Sequence, residues 1–184
     1  MFALDSNPAV LRYIGVPPQT DMEQSLAIIE FVRAQYRDNG IGRWAVILKE
    51  SGEFIGWSGL KLIRETVNGH SNYYDLGYRF REEFWGKGYG FEAAGTCLNY
   101  GFDTLQLPVI YAIVKQGNTA SHRIIQKLGF RFDGTYEDSG EEIAWYEKWR
   151  EETSILKFVL PLPFRKYLLL PRPLPPTTKI QHSS

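Results

Sequence analysis

At 184 residues and 21.2 kDa the chain suits one domain with a real core and leaves little room for two. Its 43% hydrophobic and 15% aromatic content can bury enough apolar surface to offset the entropy of ordering the chain, which excludes wholesale disorder. Twenty-one basic residues balance twenty-one acidic ones, which argues against broad nucleic-acid binding across a phosphate surface. The balance is uneven along the chain. Asp and Glu stop at Glu152, so the chain up to that point carries −5 and the remainder +5.

A single cysteine, Cys97, can form no internal disulfide, and Met1 to Asp5 lacks the basic and apolar regions of a secretory signal. A reducing cytoplasm is the expected compartment. No uncharged apolar run approaches the roughly 20 residues that span a bilayer. The nearest, Tyr167 to Leu170, is far too short, so a soluble protein without a membrane partner is expected.

In chain order, Asn7-Pro8 followed by Ala9-Val10-Leu11 and Tyr13-Ile14 predicts a short helix ending near Gly15, before a Pro17-Pro18 turn. Thr20 and Glu23 have the spacing of a capping box, and Leu26, Ile29, Val32 and Tyr36 recur along one face until Asn39-Gly40, which predicts a longer helix. Trp44 to Leu48 and Phe54 to Trp57, separated by a turn over residues 50–53, read as an antiparallel hairpin. A polar loop containing His70 leads to a third strand, Tyr73 to Phe80, whose Gly77 marks a bulge or a close backbone approach.

A helix opening at Glu92-Ala93-Ala94 turns Ala94, Cys97, Leu98 and Phe102 inward, and Pro108 to Val114 supplies a strand. A helix from Thr119 to Leu128 buries Ile124, Ile125 and Leu128 and places His122 at the surface. Phe130 to Tyr136, then Ile143 to Glu147 and Ile155 to Leu160, are the remaining strand candidates. Six of the ten prolines fall between Pro161 and Pro176, which predicts an irregular or polyproline-like basic tail over 161–184 behind a domain over 1–160. The layout is α+β, with one mixed central sheet flanked by helices.

The segment from Phe84 through Trp85, Gly86, Lys87, Gly88, Tyr89 and Gly90 lies between a strand and a helix. Alternating glycines let backbone N–H groups converge, and a helix start adds further N–H groups backed by the positive end of its dipole. Such a turn can cradle a pyrophosphate, or it is a tight strand-to-helix connection that binds nothing. The spacing misses the dinucleotide fingerprint by one residue, and no P-loop ending follows. Histidines at 70, 122 and 182 form neither a metal site nor an obvious triad, and Gly56-Trp57-Ser58-Gly59 lacks the spacing of a nucleophile elbow.

What remains resembles the acetyl-coenzyme A signature of the GNAT N-acetyltransferases, in the form of the ribosomal-protein acetyltransferase subgroup resembling RimJ and RimL. Trp85-Gly86-Lys87-Gly88-Tyr89 with Glu92-Ala93 is similar to the subgroup's core motif, and residues 55–60 (IGWSGL) to its hairpin strand. Asn118-Thr119-Ala120-Ser121 with Lys127-Leu128-Gly129-Phe130 is similar to its later signature. Trp85 stands where the general family has Gln or Arg, so backbone donors are expected to matter more than that side chain. The family's first strand is missing from this chain's start.

The resemblance implies acetyl-coenzyme A as cosubstrate, no metal, and transfer to a primary amine, either a protein N-terminal α-amine or that of a small molecule. It implies that the strands around Leu76 to Phe80 and Val109 to Val114 splay to admit the pantetheine arm. Backbone groups of Tyr78, Arg79 or Phe80 would face the acetyl carbonyl, and Trp85 to Gly90 with Lys87 would hold the phosphates. Asn118 and Ser121 would contact the pantetheine, with Ser121 beside the leaving thiolate. Capping of the helix they open is the other reading of both. Asp75 and Glu141, or Glu142, are the carboxylates that could assist the amine through water. Cys97 reads as a structural thiol, and Trp57, Trp145 and Trp149 as core or rim. A non-catalytic acetyl-coenzyme A sensor or scaffold is the competing reading, and a homodimer is compatible with the sequence.

Overall fold

The computed structural model describes residues 1–151 and 167–170. Two four-residue helices, α1 (Phe2–Asp5) and α2 (Pro8–Leu11), precede the long α3 (Met22–Asn39). A meander follows, β1 (Arg43–Leu48), β2 (Phe54–Ile63) and β3 (Tyr73–Phe80). Then come α4 (Tyr89–Asn99), β4 (Val109–Lys115), α5 (Thr119–Lys127), β5 (Arg131–Asp138), β6 (Glu141–Trp149) and β7 (Tyr167–Leu170). The strands form one mixed sheet in the order β5-β6-β4-β3-β2-β1-β7, in which β3 and β4 run parallel and the other pairs antiparallel. The α+β layout with one mixed sheet is therefore the observed fold.

Strand alternation divides the side chains between two faces. On one, Leu60, Leu76, Ile110, Ala112 and Ala144 pack against Ala94, Cys97 and Leu98 of α4 and Ile125 of α5. Cys97 is buried here with its Sγ 3.6 Å from Ser58 Oγ, in keeping with a structural thiol. On the other face Tyr73, Tyr111 and Trp145 form a second cluster. His70 stacks on Trp145 at 5.0 Å, so its loop is sealed against this cluster.

Several local expectations shift. The cap of α3 is one residue later than the Thr20–Glu23 spacing suggests: Asp21 accepts from Gln24 N at 3.0 Å, and Gln24 reaches back to Thr20 N at 2.9 Å. The packed face of α3 is also rotated by about one residue. Ser25 and Gln35 are buried, whereas Leu26 is 59% and Ile29 39% exposed. Polar anchors set this orientation, with the Ser25 hydroxyl donating to Gln19 Oε1 and Tyr36 Oη to the Arg43 carbonyl at 3.0 Å.

Helix α4 starts at Tyr89, three residues before Glu92, because Gly88 in the left-handed region ends the turn and caps the helix. Phe102 lies in a π-helical turn that extends α4 over Tyr100–Thr104. Gly77 is not a bulge, since it pairs directly with Gly59. A Cβ there would lie 2.5 Å from Arg43 Nη1, so the glycine admits a guanidinium rather than another backbone. The 161–184 tail is not wholly irregular, because β7 pairs with the edge of β1 that no other described strand covers. The strand candidate Ile155 to Leu160 lies outside the described residues.

Gly56 is the tightest backbone approach in the meander. It has φ +157°, and a Cβ would sit 2.2 Å from the Arg79 carbonyl and 2.8 Å from Phe80 Cα. Gly56→Ala is expected to destabilise the protein by about 3 kcal/mol, through overpacking against backbone together with a disfavoured dihedral. Denaturant midpoints at unchanged slope measure it, and a shift under about 1 kcal/mol refutes the contact.

Candidate active site

The parallel pair supplies the site. Between β3 and β4 the ladder holds one register pair, Asp75 with Tyr111, and beyond it the strands part. Yet β3 stays paired to β2 as far as Phe80, and β4 to β6 from Val109 to Lys115. Arg81 N donates to the Ile55 carbonyl at 2.9 Å, so alternation directs the backbone groups of Arg79 to β2 and those of Tyr78 and Phe80 into the gap. The Phe80 carbonyl accepts from Trp85 Nε1 at 2.8 Å. The indole thereby ties the glycine turn to the strand end, a role that its spacing in the sequence does not reveal.

Two cavities meet at this gap. An outer cleft of about 790 Å³ runs between the glycine turn, α2 and the start of α5, and an inner cavity of about 260 Å³ lies between β3 and β4. Tyr13, Ile14, Tyr78, Arg79, Asn118 and Ser121 line both.

At the glycine turn Gly86 (φ +71°) and Gly88 (φ +87°) are left-handed, and a Cβ on either would meet nothing within 4 Å. Gly90 differs: it lies in the first turn of α4, where a Cβ would stand 3.2 Å from Ile124 Cδ1, so it sets the packing of α4 on α5. The first bond of the helix runs from Glu92 N to the Gly88 carbonyl at 3.1 Å, so the amides before Glu92 precede the ladder. Lys87 is exposed beside this turn, its Nζ 5.3 Å from the Phe84 ring centre. Arg12 and Arg123 also line the outer cleft. Sequence reasoning missed both; a cation one turn into the helix opened by Asn118 was the available signal for Arg123.

At the junction Asn118 Oδ1 accepts from Ser121 N at 3.2 Å, so Asn118 caps α5. Tyr78 Oη lies 3.5 Å from the Ser121 carbonyl oxygen, and burial pushes the Tyr78 phenol up to about 12. Of the carboxylates, Asp75 lines the inner cavity, bonded by Arg43 Nη2 at 2.7 Å. Glu141 does not line either cavity; it pairs with Lys115, which does. Glu142 accepts from Thr135 Oγ1 at 3.0 Å. Trp57 also lines the inner cavity, with the Arg43 and Arg79 guanidinium carbons 5.1 Å and 5.2 Å from its ring centre, and Arg79 is paired in turn with the buried Asp5 of α1. Trp145 is core and Trp149 is exposed. His122 is not a free surface residue, since its Nδ1 is 2.8 Å from the hydroxyl of the buried Tyr146.

A glycine turn at a helix start, joined to a parted parallel pair, is an arrangement with known counterparts. Residues 1–131 match the family described as the acetyltransferase (GNAT) domain. The chain belongs to the GNAT acetyltransferase family. It is 32% identical over 133 residues to the uncharacterized N-acetyltransferase p20 of Bacillus licheniformis, covering 72% of each chain. It is also similar to the crystal structure of a GNAT-family acetyltransferase from Bacillus anthracis, with a TM-score of 0.67, 25% identity and coverage of 83% of this chain and 88% of that one. The fold is shared with spermidine N-acetyltransferase from Vibrio cholerae, solved with CoA and spermine, at a TM-score of 0.64, 18% identity and coverage of 81% and 87%.

GNAT acetyltransferases use acetyl-CoA, and the outer cleft has the features such a molecule needs: open left-handed glycines, amides ahead of a helix ladder, and cations at the rim. In this acetyltransferase Gly88→Val would put a branched side chain into the open space at a left-handed position. Acetyl-CoA affinity is expected to fall about a hundredfold by calorimetry with the fold retained, and unchanged affinity would refute this assignment of the turn.

Proposed function

We propose that this acetyltransferase moves the acetyl group of acetyl-CoA to a primary amine, at a protein N-terminus or on a small molecule, by direct attack of the amine. The observation that carries the reading is the junction of the two cavities at Tyr78 and Ser121, which supports a cofactor in the outer cleft meeting an acceptor in the inner cavity. The motif resemblance to the RimJ and RimL subgroup supports the α-amine branch, and a single cysteine supports a cytoplasmic setting.

The backbone of Trp85 to Gly90, with Lys87, holds the diphosphate, and Asn118 and Ser121 hold the pantetheine arm. In the gap the Tyr78 and Phe80 amides offer hydrogen bonds to the carbonyl oxygen as negative charge builds on it. Arg79, whose main chain faces β2, contributes its side chain to the wall. Ser121 stands beside the departing sulfur, and the Tyr78 phenol, kept protonated by burial, is a second donor there. Asp75, held by Arg43, is the carboxylate that takes, through water, the proton the amine nitrogen must lose. Glu141 and Glu142, on the outer hairpin, are further from this task.

The amine must be neutral to attack. Activity on a peptide α-amine is expected to rise with pH through about 7.7 to 8.0, the ordinary range of that group, and then level. Because Tyr78 is pushed upward, it holds its proton across this window and adds no falling limb. Thiol release from acetyl-CoA across peptide and small-amine panels tests the function. Tight acetyl-CoA binding without release on any acceptor would favour a sensor instead.

Ser121→Ala should lower kcat about tenfold while the acetyl-CoA dissociation constant changes less than about threefold. Equal turnover would return Ser121 to helix capping.

A further inference from the structure

The inner cavity bears a charge pattern that the transfer reaction alone does not require. Its ionic wall residues are Arg43, Arg79, Lys115 and Asp75. The single acid among them is already engaged by Arg43 at 2.7 Å. The carboxylates that balance the other two cations, Asp5 for Arg79 and Glu141 for Lys115, do not line this cavity. Arg79 Nε is buried without a hydrogen-bond partner, although Asp5 takes an Nη1 bond from the same guanidinium. Asp5 Oδ2 is likewise buried without a partner, so the Arg79–Asp5 pair leaves a donor and an acceptor unmade, and an anion that drew the guanidinium toward the cavity would satisfy the donor. Lys115 has three donors, and its partner Glu141 is more than half exposed, so that pair is screened by water and can yield to a ligand.

Resting on the reading above, we propose that the acceptor carries a carboxylate close to its amine, as an amino acid does, and that Lys115 with Arg79 receives it. The cavity of about 260 Å³ lies just under the ~300–1,000 Å³ of drug-sized sites, which suits a single amino acid. A polyamine would bring further ammonium groups against three cations with one acid, itself occupied, to receive them. Lys115 sits where three parts of the chain converge: β4, the β5–β6 hairpin through Glu141, and Gly15 after α2, where a Cβ would lie 3.2 Å from Nζ. It acts as a specificity residue rather than a participant in the transfer.

The test compares matched acceptors on the full-length protein: amino acids, their amides, the corresponding decarboxylated amines, and spermidine. Each is read as kcat/KM from thiol release at one fixed pH near 8, with every rate referred to the fraction of that amine present in the neutral form. Acetyl-CoA affinity is measured separately by calorimetry. Acids are expected to exceed their amides by about tenfold or more, the scale of one charge-assisted contact. Lys115→Met should remove most of that ratio through KM rather than kcat, and Lys115→Arg should keep it. The proposal is overturned if amides or spermidine are used as well as the acids, if a folded Lys115→Met enzyme keeps the full ratio, or if an enzyme that binds acetyl-CoA turns over nothing in the panel. Failure to bind acetyl-CoA at all would instead strike the parent reading.

Discussion

The parallel pairing of β3 and β4 stops after Asp75 and Tyr111, and the chemistry of the molecule follows from that interruption. Two strands in the middle of a sheet ordinarily satisfy each other's backbone groups, and buried groups without partners are costly. Here β3 and β4 stay paired along their length to their outer neighbours β2 and β6, while between them one register pair forms. The resulting slot has a mixed polar and apolar lining and is positioned by two fully paired ladders. Amides carried by a ligand's own chain complete what the sheet leaves open. The slot is thus rigid without being closed, which suits a reaction whose two partners must approach from opposite ends.

Ion pairs join the apolar packing of Leu76, Ala112, Val114 and Ile125 in holding the walls of the slot. Arg43 bonds Asp75 and also the Gly59 carbonyl, and it passes over Gly77, where any side chain would collide with it. Arg79 reaches Asp5, fixing the first helix to the sheet, and Trp57 lies against both guanidinium groups. Breaking one member of such a buried pair exposes the other as an uncompensated charge, so each residue depends on its partner's presence. The short helices α1 and α2 would have little reason to stay in place alone, being one turn each. The pair through Asp5, together with Asn7 Nδ2 donating to Glu82 at 2.8 Å, keeps them as the outer wall of the cleft.

How much of this was legible in the sequence depended on the range of the interaction. The glycine turn was readable because φ-positive positions before a helix leave a local mark, and Gly86 and Gly88 adopt that conformation. The order of elements and the mixed sheet were readable from periodicity. The orientation of α3 was not, since periodicity marks an apolar stripe at Leu26 and Ile29 but cannot say that Ser25 and Tyr36 will be the anchors. Asp75 was visible as an acid, but its guanidinium partner lies 32 residues away, and Asp5 and Arg79 are 74 apart. Pairings of that separation are set by topology, which is why the charged wall of the inner cavity emerged only in three dimensions.

The edge strand β7 bears on how the chain is made. Its four residues lie along β1 through Ala45 to Leu48, a border of the sheet that no other described strand covers. β1 ends at Leu48 and β7 begins at Tyr167, so more than a hundred residues are made after β1 before this border is closed. Until then it presents an unprotected template to any extended neighbour, including a sister chain on the same message. Synthesis and sealing of the domain are therefore separated in time.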